Sequence, residues 1–327
     1  MKQRLLILGK RGGILQWYEH LLDAGSDMLN VDIDGFALNH NNFLERTVKK
    51  LSGSFGNSKS DKITALNLTK KIKLFQPTTI VIADLFYLPE QILNVLSNLK
   101  GRCHIAHWIG DFFDERLKNS SQIIDQYYFS DTGLVANALA MGLLNSSYLP
   151  LAFNPNVFNT DQINELRSNE LLFIGAWSNN REELMRSIKL PMRIIGKGWG
   201  DMKGTPHNVF GKNISLGEVA SLYRQHNFVL NNINSNNINC GLNMRCFEAP
   251  ASGALLITDN VPDIELCYEP GAEVVVYGAG EDVLEFYLEL IEDVSRREEI
   301  QCAGVNRVNQ YHTYQRRLES VFDEYTT

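Results

Sequence analysis

The segment Asn243–Asp259 (NMRCFEAPASGALLITD) concentrates the side chains with the clearest chemical potential. Arg245 and Glu248 stand three residues apart, so on a helix they share one face. A guanidinium can neutralise a phosphate through two parallel hydrogen bonds, and a carboxylate one turn later can accept both hydroxyl hydrogens of a ribose. Backbone amides around Gly241–Asn243, at the start of such a helix, would add to an anion site. The spacing fits a nucleoside diphosphate, and a surface Arg–Glu pair explains it equally well.

A second candidate phosphate site is the turn GKRGG, which follows the first apolar run of the chain. The backbone amides around Gly12 and Gly13 can cradle a phosphate. The glycine spacing is not GxGxxG, so the motif argues against an NAD site. A tight strand-to-helix turn is an equally good explanation of this motif.

The segment HWIGDFFDE (107–115) follows an apolar run and offers carboxylates where a parallel strand would end. Catalytic groups in open α/β sheets lie beyond the carboxyl ends of strands. We therefore expect Asp111 to be the catalytic base or to orient the substrate that loses a proton. His107 is better explained as a hydrogen-bonded histidine of the core.

Composition limits the class of protein. The chain has 31 basic and 38 acidic residues, a balance that argues against a nucleic-acid partner. Its five cysteines are scattered and form no CxxC pair, which favours a reducing compartment and no zinc site. No apolar stretch approaches the roughly 20 residues that span a bilayer. The acidic pair Asp32–Asp34 fits a strand edge, and no metal is inferred from it. We expect a cytoplasmic protein.

The elements around these residues alternate between strand and helix, which predicts parallel sheets covered on both faces. At 327 residues the chain fits two domains of about 150 residues each. LPLAFNPN (149–156), with two prolines, is typical of a linker. A charged helix is expected over 297–325. The predicted strands are 5–8, 31–36, 79–83, 103–107 and 126–129 before the linker, and 171–174, 193–195, 228–231, 254–258 and 273–276 after it.

The run 216–325 resembles the C-terminal half of the spore-maturation (CgeB-like) glycosyltransferases, a branch of the family with the two-domain GT-B fold. Three pieces carry the resemblance: LNNINSNNINCGLNMRCFEAPASGALLITD, YEPGAEVVVY and VNQYHTYQRRLESVF. FEAPASGALLITD matches the glutamate–alanine–x–alanine–x–glycine signature of that family, in which the glutamate holds the ribose of the donor. The resemblance implies that Glu248 is the ribose ligand and that Arg245 and Asn243 lie at the diphosphate.

The resemblance also covers the turns after two strands of the second domain. In FIGAWSNNREEL, Gly175 opens that domain, and Arg181 stands where many relatives carry a phosphate-binding lysine. The turn IIGKGWGD, with Lys197 and Gly198, would flank the base of the nucleotide. In GT-B enzymes the loop equivalent to Gly12 and Gly13 lies near the donor phosphates and the acceptor.

Two departures from the pattern concern the donor. Many relatives carry a second glutamate where this chain has Cys240, and an arginine where it has Ala176. The missing glutamate leaves the identity of the donor sugar open.

The resulting fold prediction is α/β: two facing Rossmann-like domains of GT-B type, with a C-terminal helix crossing back. Residues 1–152 would form the acceptor-side domain and 153–308 the domain that binds the nucleotide sugar. Residues 309–327 would form the helix that packs on the first domain.

The predicted function is transfer of a sugar from a nucleotide-sugar donor to a hydroxyl group of a glycan, lipid-linked or protein acceptor. Asp111 would deprotonate the acceptor, and Arg245 with Arg181 would stabilise the leaving nucleoside diphosphate without a metal or other cofactor. A nucleotide-sugar epimerase and a non-catalytic nucleotide-sugar-binding protein of polysaccharide or coat assembly are the alternatives. A lipid-linked acceptor would imply peripheral contact with the inner face of the membrane.

Overall fold

The structure is a computed structural model that describes residues 2–12, 16–38, 57–83, 85–110, 112–161, 163, 166–233, 240–278 and 283–326. The chain forms two compact units. The first unit comprises Met1–Leu149 with Tyr314–Thr327, and the second comprises Pro150–Thr313. For comparison, the boundaries expected from the sequence are 152/153 and 308/309.

The first unit contains a parallel sheet of six strands in the order β2-β1-β3-β4-β5-β6. The order reverses between β1 and β3, and the carboxyl ends of the strands on either side of such a reversal form the ligand crevice of doubly wound sheets. The strands are β1 (Gln3–Gly9), β2 (Val31–Ala37), β3 (Thr79–Ala83), β4 (His104–Ile109), β5 (Gln126–Phe129) and β6 (Ser146–Tyr148), and the helices are α1 (Trp17–Ser26), α2 (Asn57–Phe75), α3 (Glu90–Ser97) and α4 (Thr132–Ala140).

The second unit repeats this architecture with a different order. Its six parallel strands run β9-β8-β7-β10-β11-β12, so the reversal lies between β7 and β10. The strands are β7 (Leu171–Ile174), β8 (Met192–Ile195), β9 (Asn208–Phe210), β10 (Phe228–Leu230), β11 (Leu255–Asp259) and β12 (Val275–Tyr277). The helices are α5 (Asn179–Ser187), α6 (Leu216–Gln225), α7 (Arg245–Ala251), α8 (Ile264–Cys267), α9 (Val283–Glu292) and α10 (Val294–Tyr311); α11 (Tyr314–Thr326) returns to the first unit.

These two sheets confirm the predicted fold class. The central strands are buried on both faces, as their continuous apolar runs indicate. The strands β6 and β9 were not predicted from the sequence. Each is a three-residue strand at the edge of its sheet. Among the described helices, none is long and apolar enough to cross a membrane.

The predicted C-terminal helix is two helices, because the backbone at residues 312–313 is engaged elsewhere. The amide of Phe153 donates to the carbonyl oxygen of His312 at 3.0 Å, and Phe153 and Thr313 form a parallel bridge. The ring nitrogen Nε2 of His312 also hydrogen-bonds the carbonyl oxygen of Cys267 at 3.0 Å. These bonds replace the helical ones, so α10 ends at Tyr311 and α11 begins at Tyr314.

Helix α11 completes the core of the first unit by packing on α1. Tyr314 is fully buried, stacked 5.2 Å from the His20 ring and edge-on to the Trp108 ring at 6.0 Å. Trp108 in turn lies 4.7 Å from Trp17. A methyl group at Gly110 would come within 2.9 Å of the Trp17 ring, so this aromatic packing requires a glycine there.

We predict that Leu318→Ala, on the buried face of α11, lowers the free energy of unfolding of the first unit by about 2–5 kcal/mol. Leu318 is 1% exposed, whereas Leu144 in the same unit is 81% exposed. The matched variant Leu144→Ala should change stability by no more than about 0.5 kcal/mol. Urea titration followed by tryptophan fluorescence measures both. Equal effects of the two substitutions would contradict the docking of α11.

Candidate functional site

The candidate residues of the second unit gather where its strand order reverses. Gly175 follows β7 directly, and Asn231 follows β10 directly. Arg245, Cys246 and Glu248 lie on α7, the short helix between β10 and β11. The fold therefore brings three separate segments to the edge at which sheets of this kind bind ligands.

Glycines allow the chain to pack closely at this point. A methyl group at Gly175 would lie 2.7 Å from Nη2 of Arg245 and 3.1 Å from the Phe173 ring. A methyl group at Gly196 would lie 1.9 Å from the carbonyl oxygen of Gly175, and that oxygen accepts a hydrogen bond of 2.7 Å from the indole of Trp199. Larger residues at Gly175 or Gly196 would displace Arg245 or the turn beneath it.

The side-chain amide of Asn231 organises the centre of the site. Its NH2 group donates to Oγ1 of Thr258 at 2.9 Å and to the Cys246 sulfur at 3.2 Å. Its carbonyl oxygen accepts from the Asn243 amide at 3.0 Å and from the Arg245 guanidinium. We call these five residues the Asn231 network. Asn231 is completely buried, so the network fixes where Asn243 and Arg245 point.

Two guanidinium groups lie over the ring of Phe173. The central guanidinium carbon is 5.2 Å from the ring centroid for Arg245 and 5.5 Å for Arg181. Burial, together with the positive charge of Arg245, lowers the pKa of Arg181 to about 9. Two like charges this close repel each other, so the pair forms a positive centre that an anion would stabilise.

The two arginines have different partners. Arg181 is buried and donates to the carbonyl oxygen of Ala176 at 2.8 Å and, through Nε and Nη2, to that of Asn232 at 3.0 and 2.7 Å. Its fork therefore holds two loops together, where the sequence analysis expected it to bind phosphate. Arg245 is only partly buried. Of the two arginines, Arg245 is therefore the more accessible to a ligand.

Glu248 is a buried carboxylate on the face of α7 that it shares with Arg245. Burial raises its pKa to about 7, and the charge of Arg245 opposes that rise. Among the described residues, none donates a hydrogen bond to this carboxylate. A ligand that supplies hydroxyl groups could donate to these two carboxylate oxygens.

Helix α7 is shorter than the sequence suggests. The pattern predicts a helix over 243–252, whereas α7 spans only Arg245–Ala251. The amides of residues 246, 247 and 248 already donate to the carbonyl oxygens of residues 243 and 244 at 2.9–3.0 Å. These three amides are therefore used within the helix, and anion binding by the amides around Gly241–Asn243 stays a prediction. The positive charge at this point comes from the Arg245 side chain.

The turn that contains Lys197 and Gly198 lies beside the turn after β7. The amide of Trp177 donates to the carbonyl oxygen of Lys197 at 2.9 Å, and Gly198 has a positive φ of 89°. The Lys197 side chain is exposed. Trp199 packs on Phe173 with ring centroids 5.8 Å apart. This turn supports the site from beneath with Trp199, while Lys197 points to solvent.

The predicted residues of the first unit have different outcomes. Gly13 and Asp111 lie outside the described residues. The amide of Gly12 donates to the Glu19 carboxylate at 2.7 Å, so an anionic side chain of the protein already holds it. His107 is fully buried, its Nε2 lies 2.9 Å from the carbonyl oxygen of Leu85, and burial lowers its pKa to about 4. It is the core histidine that the sequence indicates.

Within the described parts of the chain, no group of three or more His, Cys, Asp or Glu side chains could hold a metal ion. Asp32 and Asp34 lie within β2 and pair with Lys2 and Lys71.

The raised pKa of Glu248 has a measurable effect on stability. A carboxyl group with a higher pKa in the folded state keeps a proton that the unfolded chain has lost, so stability falls as pH rises between the two values. For Glu248 that window runs from 4.5 to about 7.

We predict that Glu248→Gln raises the melting temperature at pH 8 by roughly 5 °C and leaves it nearly unchanged at pH 4.5. The control is Glu298→Gln, which alters an exposed carboxylate of α10. Scanning calorimetry at both pH values measures the difference. An equal effect of Glu248→Gln at pH 8 and pH 4.5 would show that the carboxyl group does not titrate in this window.

This chain is similar to known proteins in part of its sequence and in its whole fold. Residues 178–323 match the model of a family described as glycosyl transferase-like. No curated protein sequence matches significantly. A solved glycosyltransferase from Rickettsia africae aligns with 99% of this chain and 98% of its own, at 10% identity and a TM-score of 0.68.

HepE from Anabaena, solved in complex with UDP and glucose, aligns over 99% of both chains at 11% identity and a TM-score of 0.66. Sucrose-phosphate synthase from Thermosynechococcus elongatus aligns with 99% of this chain and 98% of its own, at 12% identity and a TM-score of 0.64. Identities this low show the fold. The shared fold confirms the predicted GT-B type, and residues 178–323 are similar to the glycosyl transferase-like family.

Proposed function

We propose that the protein transfers a sugar from a nucleotide-sugar donor to a hydroxyl group of an acceptor. The observation that carries this proposal is the pair Arg181 and Arg245 on one phenylalanine ring, beside the buried carboxylate of Glu248. The pair suits a diphosphate, and the carboxylate suits a ribose. Both lie where the second sheet reverses its order.

The chemical step needs stabilisation of the leaving group. The acceptor oxygen forms a bond to the anomeric carbon, the bond from that carbon to the diphosphate oxygen breaks, and its electron pair stays on the diphosphate. The acceptor proton passes to a base, for which Asp111 is the candidate from the sequence. Arg245 would contact the diphosphate, and Arg181 would act through its charge behind the loop. This division of roles requires no metal.

Glu248 would bind the ribose. The two ribose hydroxyls can donate to the two carboxylate oxygens, and these bonds favour the ionised form. Donor binding would therefore lower the pKa of Glu248 from about 7.

A cavity of about 300 Å³ provides space for the nucleobase near the carboxyl ends of β8 and β9. Four apolar and five polar or charged side chains line it: Ile195, Phe210, Ile214 and Leu222, with Arg193, Lys212, Glu218, Ser221 and Gln225. Small-molecule sites combine apolar walls with polar groups that fix the orientation of the ligand. β8 and β9 lie on the β7 side of the reversal, away from β10.

The CgeB-like branch remains the proposed subfamily, on the strength of the EAPASG signature that runs from α7 toward β11. HepE was solved with UDP, which makes UDP the first nucleotide to test. Glycans, lipid-linked sugars and proteins are the acceptor classes proposed, with catalysis in the cytoplasm or at the inner face of the membrane.

The donor is identified by a thermal-shift panel of UDP, GDP, ADP and dTDP and their glucose and galactose conjugates. A nucleotide at 100 times its Kd stabilises the native chain by about 2.7 kcal/mol. With the donor found in this way, Arg245→Ala should lower kcat about 10²- to 10³-fold, because a charge on the leaving group loses its partner.

The matched control is Arg296→Ala, which removes an exposed arginine that pairs with Glu289 at 2.8 Å. Its turnover should equal that of the wild type. Arg245→Lys keeps the charge but loses the planar fork, so its kcat should fall between the two. Wild-type turnover in Arg245→Ala would refute the assignment, and the absence of any thermal shift across the panel would refute the proposed function.

Binding of UDP should depend on pH through Glu248. If only the ionised carboxylate accepts the ribose hydroxyls, affinity falls as pH drops below about 7, by about tenfold per pH unit at the limit. Titration calorimetry from pH 5.5 to 8 measures this slope. UDP also titrates in this range, so the Glu248→Gln variant serves as the reference. Identical slopes for variant and wild type would remove Glu248 from the ribose site.

A further inference from the structure

Exposed aromatic side chains collect at the carboxyl edge of the first sheet. Tyr87 is 40% exposed and Phe112 is 52% exposed, while Phe86 is partly buried. We call these three residues the aromatic rim. Phe86 and Tyr87 follow β3, and Phe112 follows β4, its neighbour in the sheet. Aromatic side chains are enriched at binding surfaces, because they offer a large contact area.

The rings of the aromatic rim are held in fixed positions. Phe86 and Phe112 meet edge to face with their centroids 5.3 Å apart. The ammonium group of Lys10, directly after β1, lies 5.4 Å from the centroid of Phe86. Arg116 lies 3.4 Å from the centroid of Tyr87. Such contacts orient the rings before any ligand arrives.

Arg116 is itself held in place. Its Nε donates to Asp114 Oδ1 at 2.8 Å, and Nη2 donates to the second carboxylate oxygen. The backbone amide of Arg116 donates to the same carboxylate at 2.9 Å. The Arg116–Tyr87 pair therefore rests on a fork-shaped ion pair, which limits the loss of side-chain entropy on binding.

The position of the rim is a second, independent argument. The strand order of the first sheet reverses between β1 and β3, and Lys10 and Phe86 follow these two strands. The carboxyl ends beside a reversal are where doubly wound sheets bind their ligands. The aromatic rim occupies the site that topology assigns to a ligand of the first unit.

The chemistry of the rim selects the class of ligand. Charged groups (Lys10, Asp114 and Arg116) are interleaved with the rings, so the surface is not the continuous apolar patch that a lipid chain needs. A pyranose matches this alternation, because its C–H faces pack on aromatic faces, which carry partial negative charge, and its hydroxyls reach ions at the edges. We propose that the aromatic rim binds a saccharide. Resting on the proposed function, this makes the acceptor of the transferred sugar a glycan or glycoside.

The test uses the full-length protein with maltotriose, cellotriose, lactose and chitotriose, each titrated by saturation-transfer NMR with and without UDP. At least one saccharide should bind the wild type saturably. Phe112→Ala and Tyr87→Ala should each weaken that binding at least tenfold, and Phe112→Tyr should retain it. Affinity for UDP should stay within twofold in all variants, because the aromatic rim and the UDP site belong to different units.

The matched control is Tyr311→Ala. Tyr311 is 46% exposed and has the guanidinium of Arg307 4.8 Å from its centroid, but it belongs to the second unit. This variant should bind saccharide like the wild type.

Failure to bind any of the four saccharides, or equal binding by Phe112→Ala, overturns the proposal. Binding to phosphatidylglycerol vesicles that is lost in Phe112→Ala also overturns it, in favour of a membrane surface. Saccharide binding that needs Phe112 in a protein that does not bind UDP would support the aromatic rim and refute the proposed function.

Discussion

The site in the second unit depends on one buried amide, that of Asn231. The side chain uses both ends: its NH2 group is anchored to Thr258 and Cys246, and its carbonyl oxygen holds Asn243 and Arg245. These partners come from β11, from α7 and from the segment before it. An amide with all its hydrogen bonds satisfied has little freedom to rotate, so it transmits the position of the sheet to the guanidinium. An arginine side chain is flexible by itself, but the bond to Asn231 fixes the position of the Arg245 guanidinium.

This arrangement buries ionisable side chains, which lowers the stability of the folded protein. Arg181 and Glu248 are both buried. Burial lowers the pKa of Arg181 and raises the pKa of Glu248, so it favours the neutral form of each. Neither shift helps folding. Functional sites commonly retain such unfavourable groups because the same burial strengthens their interaction with a charged ligand. The local cost and the proposed role therefore have a common origin.

The sequence predicted the parts of the molecule that depend on local pattern. The strands at 79–83, 126–129 and 171–174 have the predicted bounds, because each is a buried apolar run between clear breaks. The short edge strands β6 and β9 were missed, since SSY and NVF carry no such run. The spacing of Arg245 and Glu248 correctly places them on one helix, because helical periodicity is local, and their contacts with a ligand stay a prediction.

What the sequence could not predict depends on distant partners. Asn231 was one asparagine in a polar stretch, and only the fold shows that residues 243, 245, 246 and 258 converge on it. Its one signal was its place directly after the buried strand FVL. Arg181 was expected to bind phosphate, but its donors bind carbonyl oxygens of Ala176 and Asn232. Tertiary contacts decide whether a buried arginine donates to a ligand or to backbone carbonyl oxygens.

The return of α11 to the first unit has a consequence for biosynthesis. The first unit is discontinuous: its sheet ends by Leu149, but its last core helix starts at Tyr314, after the whole second unit. Ribosomes add about 5–20 residues per second, so the intervening segment takes on the order of 10–30 s to make. During that interval the surface of α1 that awaits Tyr314 stays uncovered. Synthesis of the second unit is therefore complete before synthesis of the first unit, although the first unit starts earlier.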